Sequence, residues 1–196
     1  MIKLGIFILP NSSIKKKILF FKNNVKRNFG VQTYLNHIPH CTIYVFETSK
    51  KNLKEIKKIN RVLIKRRKSF EIDKTDVFFN DPITKKNTYI IKLKKNLFLN
   101  NLQKMIVDLF SKFALKKKQK FNDNLMNKNY KLFGYPFIKS NWKPHFTIAS
   151  ISMKKNQKNF INMFKLTNIR RKQSIKNISI YQIKKNKHKF ICEIKI

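Results

Sequence analysis

The sequence predicts an α+β fold: two lobes related by a pseudo-twofold axis, each a largely antiparallel sheet with outer helices, around a central cleft. Three observations predict it. The order helix, strand, helix, hairpin occurs twice, at about 12–93 and 97–196. A five-residue pattern, Pro-His-x-Thr-Ile, occurs once in each repeat, as Pro39-His40-Cys41-Thr42-Ile43 and Pro144-His145-Phe146-Thr147-Ile148. No stretch rich in Gly, Pro or Ser separates the repeats, so residues 1–196 read as one bilobal domain, long enough to bury a substantial interior.

Each element has a local reason. Residues 2–9 are apolar and end at Pro10, which reads as a strand. Asn11, Ser12 or Ser13 can cap a helix whose apolar residues Ile14, Ile18, Phe21, Val25 and Phe29 share one face, with Gly30 stopping it. Residues 40–46, rich in β-branched and aromatic side chains, follow as a strand. Leu53, Ile56, Ile59 or Asn60, and Leu63 mark a second helix, with Ser49 as its cap. Residues 70–72, 77–79 and 89–93 are strand-like, with Asn80-Asp81-Pro82 and Lys85-Lys86-Asn87 as turns.

The second repeat opens with a helical stripe of Leu99, Leu102, Ile106, Leu109, Phe110 and Phe113. The polar stretch 116–131 reads as a loop, residues 145–151 as the second motif strand, and 160–164 as a short helix. Residues 175–183 and 189–196 then pair as a hairpin across a lysine-rich turn that contains His188.

Composition narrows the partners. Hydrophobic content of 42% and aromatic content of 13% describe a globular chain. The net charge is +37, from 46 basic against 9 acidic residues, and only six of the basic residues are arginine. AT-rich codon usage explains abundant Lys, Asn, Ile and Phe, but not the shortage of acids. So one-sided a surface favours a polyanion, with RNA or DNA first and an anionic membrane second. The apolar run 4–9 is too short for an export signal or a membrane span, and two cysteines make no disulfide framework. A cytoplasmic monomer is the expectation.

The repeated motif suggests chemistry. Side chains two apart on a strand share a face, so His40 and Thr42 point one way, and His145 and Thr147 do likewise. Proline cannot donate to a ladder and suits the first position of a strand at a cleft edge. Two imidazoles facing one site can divide base and acid work near neutral pH. Threonine hydroxyls can hold non-bridging phosphate oxygens as charge develops. Such a set needs neither metal nor nucleotide cofactor, and it suits in-line attack on a phosphodiester.

With two H-x-T motifs about a hundred residues apart on a duplicated α+β frame, the chain resembles the 2H phosphoesterase superfamily, which includes 2′–5′ RNA ligase-like proteins and 2′,3′-cyclic nucleotide phosphodiesterases. "LGIFILP" resembles that family's opening strand and "KPHFTIAS" its second motif. The resemblance implies catalytic His40 and His145, phosphate-binding Thr42 and Thr147, and hydrolysis of 2′,3′-cyclic phosphate ends or reversible formation of a 2′–5′ phosphodiester. The expected partner is RNA or a nucleotide carrying a cyclic phosphate. A non-catalytic basic RNA-binding protein and a hydrolase of small cyclic nucleotides are the alternatives.

Other candidates stand beside the motifs. Trp142 and Tyr135, from the aromatic stretch before His145, are candidate base-stacking contacts, and most of that stretch is expected to pack. Arg66, Arg67, Arg170 and Arg171 are the phosphate candidates among the basic residues, because guanidinium matches phosphate bidentately. His37-x-x-His40 is a poor metal pair, interrupted by Pro39 and lacking acidic or cysteine neighbours. Cys41 reads as a small core residue and His188 as a solvated turn residue.

Overall fold

A computed structural model of the chain describes every residue except 64–67, 117–118, 153–156, 167–168, 170 and 186. The described residues form, in chain order, β1 (Ile2–Ile8), α1 (Ser12–Phe29), β2 (Cys41–Thr48), α2 (Leu53–Lys58), β3 (Ser69–Phe78), β4 (Asn87–Lys94), α3 (Leu97–Phe110), α4 (Asn124–Phe133), β5 (His145–Ile151), α5 (Gln157–Leu166), β6 (Lys172–Ser174), β7 (Asn177–Lys184) and β8 (Lys187–Lys195). The strands join in one sheet, ordered β6-β3-β4-β5-β2-β1-β7-β8, with antiparallel neighbours. This is the α+β architecture that the sequence predicts.

The two motif strands meet at the centre of the sheet, where Cys41 pairs with Phe146. Four strands lie on either side of that junction, which sets the pseudo-twofold relation. The halves of the sheet are not the halves of the chain, however. β2 already has β1 on one edge and β5 on the other, so the β3–β4 hairpin cannot join it and pairs with β5 instead. The β7–β8 hairpin likewise joins β1, on the β2 side. Stretches 12–93 and 97–196 repeat the order of elements, but each lends its hairpin to the other motif strand's side of the sheet.

Local signals explain most boundaries. The Asn11 side chain accepts from Ile14 N at 2.9 Å to open α1, and Gly30, at φ 70°, ends it. Asn96 does the same for α3, accepting from Leu99 N at 2.8 Å. The buried stripe of α1 (Ile14, Ile18, Phe21, Val25 and Phe29) is the one the periodicity picks out. On α5, Phe160 and Phe164 pack edge-on to Tyr89 of β4, at 5.3 and 5.5 Å between ring centroids. Each such fully buried side chain stabilises the fold by about 1.5–3 kcal/mol.

Four expectations change. The second helix stops at Lys58, and Leu63, 69% exposed, has left its apolar face. The two short strands expected at 70–72 and 77–79 are one strand, β3, bent by a register shift between Ile72 and Lys74. The polar stretch expected as a loop contains α4, capped by the Asp123 side chain on Met126 N at 2.7 Å and ended by left-handed Gly134. Its one buried residue is Asn129, which donates to Pro136 O and Ile138 O, so no apolar period reveals it. Finally, Lys184 pairs with Lys187, which tightens the last hairpin and puts His188 on β8 rather than in a turn. Among the described residues no helix is long and apolar enough to cross a membrane.

Candidate active site

Both motifs are shaped by the same irregularity. Along β2 the register against β1 skips Ile43: Phe7 opposes Thr42, while Ile6 opposes Tyr44. Along β5 the register against β4 skips Ile148: Ile90 opposes Thr147, while Tyr89 opposes Ala149. The isoleucine shared by the two pentapeptides is thus a bulge residue in each. A bulge bends its strand and re-aims the side chains beside it.

Alternation does the rest. Cys41 and Phe146 are fully buried, whereas His40, Thr42, His145 and Thr147 are half-buried on the opposite face. Carried one place either way from the Cys41–Phe146 pair, the register sets His40 beside Thr147 and Thr42 beside His145. The two histidines then stand as diagonal cross-strand neighbours, a relation that spaces residues by about 7–8 Å. Diagonal neighbours on one face lie within reach of each other's long side chains.

The two rings are held alike. His40 Nδ1 lies 2.6 Å from Ile38 O, and His145 Nδ1 lies 2.6 Å from Lys143 O. A carbonyl only accepts, so Nδ1 carries the hydrogen in both rings, and the neutral ring keeps its lone pair on Nε2. Each motif therefore presents a proton-accepting or proton-carrying Nε2 on the face it shares with its threonine.

Their surroundings differ. Burial pushes the pKa of His40 down to about 3, against the pull of its bond to Ile38 O and with help from His188, His37 and the Lys22 ammonium. Burial also lowers His145, but there the bond to Lys143 O and the carboxylate of Asp81 act in the opposite direction. His40 is held neutral among positive neighbours, and His145 has an anion to favour its charged form.

Several residues that hold His40 escape the motif. The Phe7 ring stacks on it at 3.9 Å between centroids and 30° between planes. Gly5 makes room for that ring: a Cβ there would meet Phe7 Cζ at 2.2 Å and Cε1 at 2.5 Å. Lys22 of α1, only 5% exposed, donates Nζ to Tyr34 O at 2.6 Å and Leu35 O at 3.1 Å, fastening the loop that leads into His40. Tyr34 itself sits at φ 69°, a left-handed conformation that costs a non-glycine residue energy and that this clamp helps to hold. A glycine inside an apolar strand is the one sequence signal that points to Phe7.

His188 is the larger correction. Instead of lying solvated in a turn, it stands half-buried with its ring 5.2 Å from that of His40 and 4.6 Å from that of His37. Among the described residues no group of three or more His, Cys, Asp or Glu is arranged to hold a metal ion. Trp142 is also corrected: it is 3% exposed, and its Nε1 donates to Thr42 O at 2.9 Å, so it braces the first motif from beneath and offers no face to a base. Tyr135 packs edge-on to Tyr44 at 5.8 Å, and the bulge turns Tyr44 to the side away from Thr42. Burial pushes the Tyr135 phenol pKa up, in keeping with a packing role.

Arg171 precedes β6 at the far edge of the sheet, where its carbonyl accepts from Ile72 N at 2.8 Å, and it is not brought to the motifs. Arg66, Arg67 and Arg170 lie outside the described residues. Cys41 is a core residue as expected, its thiol pKa pushed up by burial to about 12.

Comparison with known proteins bears on the fold. No family model and no curated protein sequence matches the chain. Solved structures do. TT0787 of Thermus thermophilus superposes with a TM-score of 0.64 at 12% identity, covering 98% of this chain and 97% of that one. A phosphoesterase gives 0.57 at 12% identity, covering 100% and 98%. Escherichia coli LigT complexed with 3′-AMP gives 0.50 at 12% identity, again over 100% and 98%. Likeness over whole chains at such low identity is a likeness of architecture, and in architecture the chain has a LigT-like α+β fold.

Proposed function

We propose that the protein is a phosphodiesterase acting on RNA ends, opening a terminal 2′,3′-cyclic phosphate by two-histidine acid–base catalysis. One observation carries the reading: two matched H-x-T motifs share a face at the centre of the sheet, each with Nδ1 tied to the carbonyl two residues back.

The surroundings divide the labour. His40, kept neutral, takes the proton from water as the water oxygen bonds to phosphorus. His145, the ring with the anionic neighbour, gives its proton to the ribose oxygen as the P–O bond breaks. Thr42 and Thr147 donate their hydroxyls to the non-bridging oxygens, whose charge grows in the transition state. With a ribose 5′-hydroxyl in place of water as nucleophile, the same groups form a 2′–5′ bond as the P–O3′ bond of the cyclic phosphate breaks and the 3′ oxygen takes the proton. The net charge of +37 draws in a long polyanion at low salt. A nucleotide bearing a 3′-phosphate is the ligand of one structural neighbour, LigT, which accords with a nucleotide substrate.

The test is turnover of an oligonucleotide ending in a 2′,3′-cyclic phosphate, with EDTA present, by the wild type and by His40→Ala and His145→Ala. Loss of about 10²–10⁴-fold in each variant is the expected result. Salt-sensitive binding without turnover, surviving both substitutions, would mark a binding protein instead.

A further inference from the structure

Three hydroxyls meet in the interior beyond the second motif. Ser150 lies on β5, fully buried between Ala149 and Ile151. Thr88, 2% exposed and opposite it on β4, donates to Ser150 Oγ at 2.9 Å. The Thr84 hydroxyl, from the turn between β3 and β4, lies 2.6 Å from the same oxygen. Apolar side chains of the same shape would cost the fold little there, so what the cluster holds matters more than what it stabilises.

It holds the turn that carries Asp81. That carboxylate is buried, and its Oδ1 accepts from Ile83 N at 2.8 Å and from Thr84 N at 3.3 Å. The backbone closes the turn, with Lys85 N donating to Asp81 O at 2.7 Å and Asp81 N to Lys86 O at 2.9 Å. Thr84 thus has its N–H on Asp81 and its hydroxyl on Ser150. The carboxylate is fastened in this way to β5, the strand that also carries His145.

Asp81 acts through space on two groups: it favours the charged form of His145 and, after burial, raises the Tyr34 phenol. Such an effect falls with distance, so it is only as constant as the turn. The other charges around His145 have different anchors. Lys92 stands opposite it on β4, with Asp73 of β3 3.6 Å from its ammonium, and Lys143 lies over the Phe78 ring at 5.7 Å. His40, the diagonal neighbour on β2, is held neutral.

Resting on the phosphodiesterase reading for its kinetic consequence, we propose that Ser150 is a positioning residue for the acid: its hydroxyl, through Thr84, holds Asp81 at a fixed distance from His145. The Ser150 backbone N–H donates to Thr33 O at 2.9 Å, on the loop that leads to His40, and that bond survives substitution of the side chain. Ser150→Ala therefore loosens the Asp81 turn and leaves the His40 loop seated.

The test is an NMR titration of the histidine rings, with His145 assigned by its loss in His145→Ala. The variants are Ser150→Ala, Thr84→Val, Thr84→Ser, Asp81→Asn and the double variant Ser150→Ala/Asp81→Asn. His145 should titrate at lower pH in Ser150→Ala and in Thr84→Val, by about half of the shift that Asp81→Asn produces or more. Thr84→Ser, which keeps the hydroxyl, should titrate like the wild type. Without the carboxylate nothing is left to position, so the double variant should match Asp81→Asn. With a cyclic-phosphate oligonucleotide, the alkaline limb of the kcat/KM profile should move the same way. In Ser150→Ala kcat should fall about threefold to tenfold, with KM within about twofold. Thr84→Val, isosteric and at a half-buried position, reads the same bond from its other end should Ser150→Ala fail to fold. A His145 titration unmoved in Ser150→Ala and Thr84→Val, or a double variant shifted further than Asp81→Asn, overturns the proposal. The titration needs no turnover: if it moves as expected in a protein that opens no cyclic phosphate, the positioning stands and the phosphodiesterase reading fails.

Discussion

Trp142→Phe separates a brace from a ligand platform. The substitution keeps an aromatic ring in the core and deletes one hydrogen bond, from Nε1 to Thr42 O at 2.9 Å, which links residues 100 apart in sequence. Thr42 O is then left short of a donor in a site closed to water, which costs about 1–3 kcal/mol. The smaller ring buries roughly 40 Å² less apolar surface, or about 1 kcal/mol more. The sum is about 2–4 kcal/mol. For a chain of this size, with a urea slope of about 2 kcal/mol per molar, the midpoint should fall by about 1–2 M. Because Trp142 is the single tryptophan, unfolding is followed by far-UV circular dichroism rather than fluorescence. Thr42 shifts along with its carbonyl, so kcat/KM should fall together for cytidine and baseless cyclic phosphates. An unmoved midpoint, with a KM rise confined to the base-bearing substrate, would refute this reasoning and restore Trp142 as a stacking contact.

Three further outcomes follow from the same geometry. Gly5→Ala drives the Phe7 ring off its seat and unsettles the ring stacked on it, His40; the expected cost is about 1–3 kcal/mol of stability with a larger fall in kcat than in KM, and wild-type kinetics would contradict it. With His40 down at about 3, the acid limb of the pH–kcat/KM profile should lie well below the ordinary histidine range, while the alkaline limb reports His145. Asp81→Asn removes the charge that favours protonated His145 and should move the alkaline limb to lower pH; an acid limb near the usual histidine value, or an unmoved alkaline limb, argues otherwise. Burial holds Lys22 at about 8 against 10.5 for an ordinary lysine, so across that window the unfolded chain binds the extra proton and the folded state gains stability as pH rises. The stability difference between wild type and Lys22→Met should therefore grow by up to about 3 kcal/mol between pH 7 and 11, as read by urea titration at each pH, and a constant difference would contradict it.

Much of the frame was legible because its signals are local. Asn11 and Gly30 mark helix ends by their own side-chain and backbone chemistry, and the stripes of α1 and α3 follow helical period. The motif strands were legible because His-x-Thr alternates. What escaped depends on partners distant in sequence. Nothing near His188 says that a turn shorter than the one expected will bring it to His40. The exchange of hairpins follows from which edges β1 leaves open, and that is decided between residues as far apart as Lys3 and Ile183. Trp142 looked like a platform because it precedes His145 by three residues, whereas its N–H reaches back to the other motif. α4 escaped because the one residue it buries is an asparagine.

A double-mutant cycle on His40 and His145 is the most direct measure of whether both rings serve one phosphorus. With cytidine 2′,3′-cyclic phosphate as substrate, kcat is measured for the wild type, His40→Ala, His145→Ala and the double variant. Groups that act on one bond-breaking event are not additive, so the double variant should be no more than a few-fold slower than the slower single one. Losses that multiply, or a single variant with wild-type kcat, would place the two histidines in separate roles.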